Sequence, residues 1–216
     1  IDIYNKMRNL IEMFGIKKKI SDDFIQGLWA ELFLIYSSIN IPQSVEDWHE
    51  NTNDKYDFGK KDNFIEVKST KGDERKHRLS LKQAYNDLGQ TVIFASFILK
   101  EGRENKLSIN DLYNKIYNKI LGNEKLINKL ISQVYPLISN SSDSQLNRSF
   151  DPVIAKESLK FYDLDEIPKL PESDFFIQGV TDVSFTAHFG FSNEIDYKEI
   201  RKKSKIFKNI IPSKKR

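Results

Sequence analysis

Asp57 and the run Phe64-Ile65-Glu66-Val67-Lys68 are the residues of this 216-residue chain whose types and spacing could do chemistry. The bare pattern acid-x-Lys is weak, since it recurs at Glu66/Lys68, Glu74/Lys76, Glu104/Lys106 and Asp196/Lys198. Only the first pair lies in an apolar, strand-like run with another acid shortly before it. Side chains alternate along a strand, so Glu66 and Lys68 share one face while Ile65 and Val67 take the other. A hairpin loop over Lys60 to Asn63 sets Gly59 against Phe64, Phe58 against Ile65 and Asp57 against Glu66. Two carboxylates then stand side by side, which is destabilising and raises one pKa unless a cation lies between them. Mg²⁺ suits such a pair, because it takes oxygen ligands, keeps waters, and binds one or two carboxylates plus a substrate phosphate. Lys68, one step along the same face, is placed to hold an attacking water or to balance transition-state charge. The chemistry implied is metal-assisted phosphodiester hydrolysis. The plain alternative is a solvated cluster of surface ion pairs.

Phe24, Ile25, Leu28, Trp29, Leu32, Phe33, Ile35 and Tyr36 recur at helical spacing, and Asp23 with Gln26 makes a capping-box start, which predicts a buried helix. Glu31 falls on its apolar stripe. A carboxylate there completes an acidic site, meets a buried Arg or Lys, or snorkels at the stripe edge. Extended segments are expected near Ser44 to Glu50, Lys55 to Phe58 and Phe64 to Thr70, as an antiparallel meander. Leu81 to Leu88 reads as a short helix broken at Gly89-Gln90, and Thr91 to Leu99 as an apolar strand, so the order is α, β, β, β, α, β. Ile109 to Leu121 and Lys125 to Ile138 read as an amphipathic helical pair, and Ser139 to Ser149 as a polar loop. Extended segments around Ala155 to Tyr162 and Val180 to Phe189, separated by the Pro168/Pro171 stretch, close the body. The expectation is one α/β (α+β) domain over residues 1–216, with a core at 21–101 and a mixed central sheet. A helical insertion at 105–138, extra strands within 151–190 and a basic tail at 198–216 follow.

Hydrophobic residues are 39 % and charged residues 30 % of the chain, too apolar for disorder and too polar for a membrane protein. The longest apolar stretch, Val92 to Leu99, is far short of the roughly 18 residues that suggest a span, and no amino-terminal signal pattern is visible. A cytoplasmic location is expected. The chain opens on Ile1 rather than Met, which reads as a fragment. Cysteine is absent, which excludes disulfides, thiolate zinc sites, thiol nucleophiles and Fe–S clusters. The three His residues show no i, i+4 spacing, so carboxylates are the main metal-ligand supply. Neither a G-x-x-x-x-G-K-[ST] loop nor a G-x-G-x-x-G run occurs. Trp29, Trp48 and the Phe175-Phe176 pair read as core rather than base-stacking platforms. His49 beside Glu50 reads as a strand end, with a general-base role the minor alternative; His77 is a possible phosphate contact. Net charge is +3, but Lys198 to Arg216 carries nine basic residues and one acid, leaving the body at −5. A polyanion would meet the tail first.

At these residues the chain resembles the PD-(D/E)XK nuclease superfamily, whose shared core is αβββαβ. The matching positions are Glu31 in Gly27-Leu28-Trp29-Ala30-Glu31-Leu32, Asp57 in Tyr56-Asp57, Glu66-Val67-Lys68, and Gln83 in Leu81-Lys82-Gln83-Ala84-Tyr85. The residue before Asp57 is Tyr56 rather than Pro, a common variation. Phe161-Tyr162, Ile167-Pro168-Lys169-Leu170 and Gly179-Val180-Thr181-Asp182-Val183 further resemble a bacterial PD-(D/E)XK family found near phage-defence or restriction genes. The resemblance implies metal ligation by Asp57 and Glu66 with help from Glu31, a catalytic Lys68, an accessory Gln83, and Mg²⁺ as cofactor with Mn²⁺ as substitute. It implies a DNA endonuclease of a restriction or phage-defence system, gripping DNA through Lys71, Arg75, Lys76, Arg78 and Lys82. Cutting two strands would favour a homodimer, and other defence-system proteins are possible partners. The competing readings are a non-catalytic DNA-binding or scaffold subunit and an RNA-directed nuclease.

Overall fold

A computed structural model describes residues 20–50, 54–102, 106–140, 147–171, 180 and 182–213, with side chains left aside at 135–140. The predicted first helix is α1 (Asp22–Ser37), which buries Ile25, Leu28, Trp29, Leu32, Phe33 and Ile35. Its cap is Ser21, not Asp23: the Ser21 hydroxyl accepts from the Phe24 N–H at 3.2 Å. Ser44 to Glu50 was expected to be extended but is mostly helix, α2 (Ile41–Asp47). Asn40 caps it by accepting from the Gln43 N–H, and Pro42 sits in the first turn, where no intrahelical donor is needed. Only Trp48 is extended there, bridged to Phe58.

β1 (Phe58–Lys60) and β2 (Asn63–Thr70) pair antiparallel with Phe58 opposite Ile65 and Gly59 opposite Phe64, the register expected. The connection is tighter than expected, a two-residue turn at Lys61-Asp62 with Lys61 at φ 56°. Gly59 is demanded by close approach, because a Cβ there would lie 2.7 Å from the Phe64 ring. β3 (Lys76–Ser80), a strand not expected here, occupies part of the basic segment from Lys71 to Lys82. α3 (Leu81–Ala84) is shorter than expected, and β4 (Thr91–Ile98) returns parallel to β2.

β5 (Leu107–Ser108) leads into the expected helical pair, α4 (Ile109–Lys119) and α5 (Glu124–Asn140); β6 (Ser149–Phe150) pairs with β5. Ala155 to Tyr162, expected to be extended, divides into α6 (Pro152–Ser158) and β7 (Lys160–Asp163). Asp151 caps α6 and Pro152 opens it. β8 (Ser184–His188) is the last strand, and the basic tail forms α7 (Tyr197–Lys203) and α8 (Lys205–Ile210), whose Ile200, Ile206, Phe207 and Ile210 enter the core. Phe175-Phe176, Gly179, Thr181 and most of the Ser139–Ser149 stretch lie outside the described residues.

The central sheet runs β1-β2-β4-β7, with β2 and β4 parallel and both outer pairs antiparallel, a mixed sheet of the restriction-endonuclease kind. Its two faces follow the period of two. Ile65, Val67, Ile93, Ala95, Phe97 and Phe161 pack with α1 and α4 in the larger core. Val92, Phe94 and Tyr162 face the opposite way, into a smaller core with Leu79, Ala187 and Phe189 from the β3–β8 ribbon and the turn after it. Glu66, Lys68 and Ser96 have the same parity as this second face, so the chemistry lies on the ribbon side.

Arg75 and His77 fix the ribbon to the sheet. Arg75 is buried and donates from Nη1 to Ser96 O at 2.7 Å and Ser96 Oγ at 2.8 Å, and from Nη2 to Ser158 O. His77 is 2 % exposed, lies 2.7 Å from Ser96 Oγ through Nε2, and meets Phe189 edge-on. Burial first, then the positive charges of Lys68 and Arg75, push the His77 imidazole down to about 3. The fold therefore holds it neutral, while the unfolded chain takes up a proton below its ordinary value of 6.5. The resulting penalty is absent above that pH and grows as pH falls toward 3. His77 is expected to cost about 2 kcal/mol of stability between pH 8 and pH 5. Urea denaturation at both pH values should show a smaller loss for His77→Gln than for the wild type; equal losses would contradict a neutral buried imidazole.

Candidate active site

The β1–β2 ladder ends at Phe58 opposite Ile65, and the side chain of Asp57, just before it, reaches the Glu66-Val67-Lys68 triplet. Asp57 Oδ2 accepts from the Val67 N–H at 2.6 Å, so the backbone of β2 itself anchors this carboxylate. On the same strand, Lys68 Nζ lies 2.7 Å from Glu66 Oε1. The side chains of Glu66 and Lys68 are 3 % and 17 % exposed, which removes the solvated ion-pair reading for this pair.

Gln83 clamps both groups at once. Its Nε2 donates to Glu66 Oε1 at 2.6 Å, and its Oε1 accepts from Lys68 Nζ at 3.2 Å. Gln83 is fixed there by the start of α3, where Ser80 Oγ accepts from the Gln83 N–H and Gln83 Oε1 accepts in return from the Ser80 N–H. One capping box therefore orients the side chain that aligns the acid with the lysine.

Glu31 comes close to Asp57 and His49 and, among the described residues, meets no buried Arg or Lys in an ion pair. Its Oε2 accepts from Trp48 Nε1 at 2.7 Å and lies 3.2 Å from His49 Nε2. Trp48 is core, as expected, but its indole N–H also steers the helix carboxylate. Glu31, His49 and Asp57 each bring one ligand atom within 4.8 Å of the others. His49 was expected to end a strand; it follows α2, and sequence spacing offered no link to Glu31, 18 residues away. The one available signal was a His eight residues before Asp57 in a chain with three. An open cleft of about 420 Å³, lined in part by Trp48, His49, Lys55, Tyr56, Lys60 and Phe64, meets the site at His49; Glu31, Asp57, Glu66 and Lys68 do not line it.

Charge is out of balance here. Burial first, then Glu66 and Glu31, hold the Asp57 carboxyl well above the usual carboxylate range. Burial also raises Glu66, against the opposing pull of Lys68. Burial alone would lower Lys68, but Glu66, Asp57 and Glu31 outweigh it and keep the ammonium charged. Glu66 Oε2 is buried with no hydrogen-bond partner. Three carboxylates around one lysine, with an orphaned buried oxygen, fit a divalent cation: Asp57 and Glu66, assisted by Glu31, are the residues that would hold it.

The residues expected to grip nucleic acid divide. Lys71, Lys76, Arg78 and Lys82 are exposed, with Lys76 ion-paired to Glu74 and Arg78 Nε donating to Ser184 Oγ at 2.9 Å. Arg75 is not on that surface, because its guanidinium is consumed by Ser96 and Ser158 inside the fold. His77 is likewise enclosed rather than turned toward a phosphate.

A mixed α/β sheet of the restriction-endonuclease kind, carrying an acid pair and a lysine on one face, defines the nuclease-like PD-(D/E)XK class. The family model described as "Putative PD-(D/E)XK family member, (DUF4420)" matches residues 2–189, and the chain belongs to that family. No curated protein and no solved structure matches the chain significantly. No described helix is long and apolar enough to cross a membrane.

Relief of the carboxylate crowding should be measurable in the absence of metal. Asp57→Asn keeps an acceptor for the Val67 N–H while removing one negative charge. In EDTA at pH 8 it is expected to raise the thermal midpoint by about 2–4 °C, equivalent to about 1 kcal/mol. Added Mn²⁺ should then stabilise the wild type more than the variant. An unchanged or lowered midpoint in EDTA would show that the carboxylates do not repel one another.

Proposed function

We propose that this protein is a metal-dependent DNA endonuclease that hydrolyses phosphodiester bonds, working in a restriction or phage-defence system. The observation that carries the reading is the Glu66 carboxylate, buried beside Asp57, held by Lys68 and Gln83 on one oxygen and unpartnered on the other. A structural ion pair needs no such orphan. A divalent cation, Mg²⁺ with Mn²⁺ as substitute, would polarise the scissile phosphate and lower the pKa of a bound water.

The chain's own residues do the rest. Lys68, kept charged by its acidic neighbours, presents an N–H to the attacking water or to the charge that develops on the phosphoryl oxygens. Gln83 holds Lys68 and Glu66 in one geometry, so neither must reorganise as the reaction proceeds. Asp57, tied to the β2 backbone, and Glu31, tied to Trp48, keep the ligand oxygens in place. Lys76 and Arg78 project from the outer face of the β3–β8 ribbon, with Lys71 before it and Lys82 after it. A two-stranded ribbon is narrow enough for a DNA major groove, and such cations position the backbone without reading sequence. Cutting both strands of a duplex favours a homodimer.

Incubation of plasmid and single-stranded DNA with Mg²⁺ or Mn²⁺ tests the catalytic claim. Wild type should cut, and Lys68→Ala should lose at least about 100-fold in rate while keeping its circular dichroism spectrum. If no metal or substrate supports cutting and no cation binds, the non-catalytic DNA-binding reading takes its place. The ribbon is tested separately by fluorescence anisotropy on duplex DNA at several salt concentrations. Lys76→Ala and Arg78→Ala should each weaken binding alike across sequences and reduce the salt slope by about 1. Unchanged affinity in both variants would move the DNA elsewhere on the surface.

A further inference from the structure

We propose that His49 is a metal ligand: Glu31, His49 and Asp57 form a divalent-cation site with one imidazole donor, selecting Mn²⁺ or a later transition-metal ion over Mg²⁺. The inference deepens the metal-dependent reading above and rests on it. It adds a nitrogen ligand to a set otherwise made of carboxylates.

Four observations support it. The three ligand atoms lie within 4.8 Å of one another, and bonds of about 2.1 Å to one ion would set them at most about 4.2 Å apart, so only small side-chain movements bring all three onto it. The ring nitrogen that enters the cluster is Nε2, 3.2 Å from Glu31 Oε2. The backbone that carries the ring is also held by its surroundings. The His49 N–H donates to Asp57 O at 2.8 Å, so His49 and Asp57 are tied by backbone as well as by proximity. From α5, Gln133 Nε2 donates to the carbonyls of His49 and Glu50, both at 2.8 Å, while Lys129 donates to the carbonyls of Glu46 and Trp48. A helix inserted after the nuclease core thus fastens the segment that presents the imidazole. Finally, the buried Glu66 Oε2 has no hydrogen-bond partner, on a carboxylate whose charge acts on Asp57. The acids next to the cluster thus also lack a balancing cation.

The chemistry follows from ligand type. Mg²⁺ prefers oxygen donors and gives up water reluctantly, whereas first-row transition ions accept imidazole, with affinity rising from Mn²⁺ through Co²⁺ and Ni²⁺. An all-carboxylate site would lack that bias. When the site fills, Nε2 gives its lone pair to the ion, and the ring proton resides on Nδ1.

Titration calorimetry and pulsed EPR on the full chain, using Mn²⁺ and Mg²⁺ alone as probes, test this without reference to cleavage. Wild type should bind Mn²⁺ about tenfold or more tightly than Mg²⁺, and its Mn²⁺ signal should carry coupling to an imidazole nitrogen. His49→Gln and His49→Ala should lose the nitrogen coupling and most of the Mn²⁺ preference while retaining Mg²⁺ binding and a folded spectrum. If both variants unfold, the nitrogen coupling in the wild type decides alone. Mn²⁺ binding without nitrogen coupling would overturn the His49 assignment and leave the carboxylate site standing. Binding of neither ion would overturn both.

Discussion

Two carboxylates and a lysine, gathered where Asp57 leads into β1 and Glu66 and Lys68 share one face of β2, set the terms for everything around them. Glu66 and Lys68 lie 2.7 Å apart with the acid almost wholly enclosed, and Asp57 is fastened to the intervening Val67 N–H. Such a grouping is costly to bury, since desolvation penalises each charge and the acids repel one another. The surrounding fold meets that cost with directed donors: Gln83 on Glu66, the β2 backbone on Asp57, and the Trp48 indole on Glu31. None of these donors neutralises the excess negative charge. That excess is what the proposed cation would balance.

The scaffold serves this grouping through parity and clamps. Alternation along β2 sends Ile65 and Val67 to the helical core and Glu66 and Lys68 to the ribbon side. The ribbon is then held by Arg75 and His77, which both converge on Ser96, the β4 residue paired with Lys68. Polar contacts on Ser96 therefore add to the apolar packing of Phe94 against Phe189 in connecting the second sheet to the strand beside the lysine. α5 performs the corresponding task on the other flank, through Lys129 and Gln133.

The hairpin register was legible because it needs only a period of two and a close-packed Gly59, both local properties. The helix bearing Glu31 was legible for the same reason, its apolar spacing being regular over four turns. α2 and α6 were misread although their signals were present. Asn40 with Pro42, and Asp151 with Pro152, are helix starts that the apolar alternation nearby obscured. β3 was hidden differently. Its inward residues include Arg75 just before it and His77 within it, and a polar residue reads as exposed until Ser96 and Ser158 arrive from elsewhere in the chain. His49 was out of reach by local pattern for the same reason, since Glu31 and Asp57 reach it only through the tertiary fold. The charged tail concealed Ile200, Phe207 and Ile210, which place α7 and α8 on the core.

The most direct test of a cation-receiving site is the anomalous scattering of crystals soaked in Mn²⁺. The account predicts an anomalous peak in contact with the carboxylates of Asp57 and Glu66, with Lys68 still beside Glu66. Ordered Mn²⁺ elsewhere in the crystal with none between these carboxylates, and Glu66 bound by Lys68 and Gln83 alone, would contradict it.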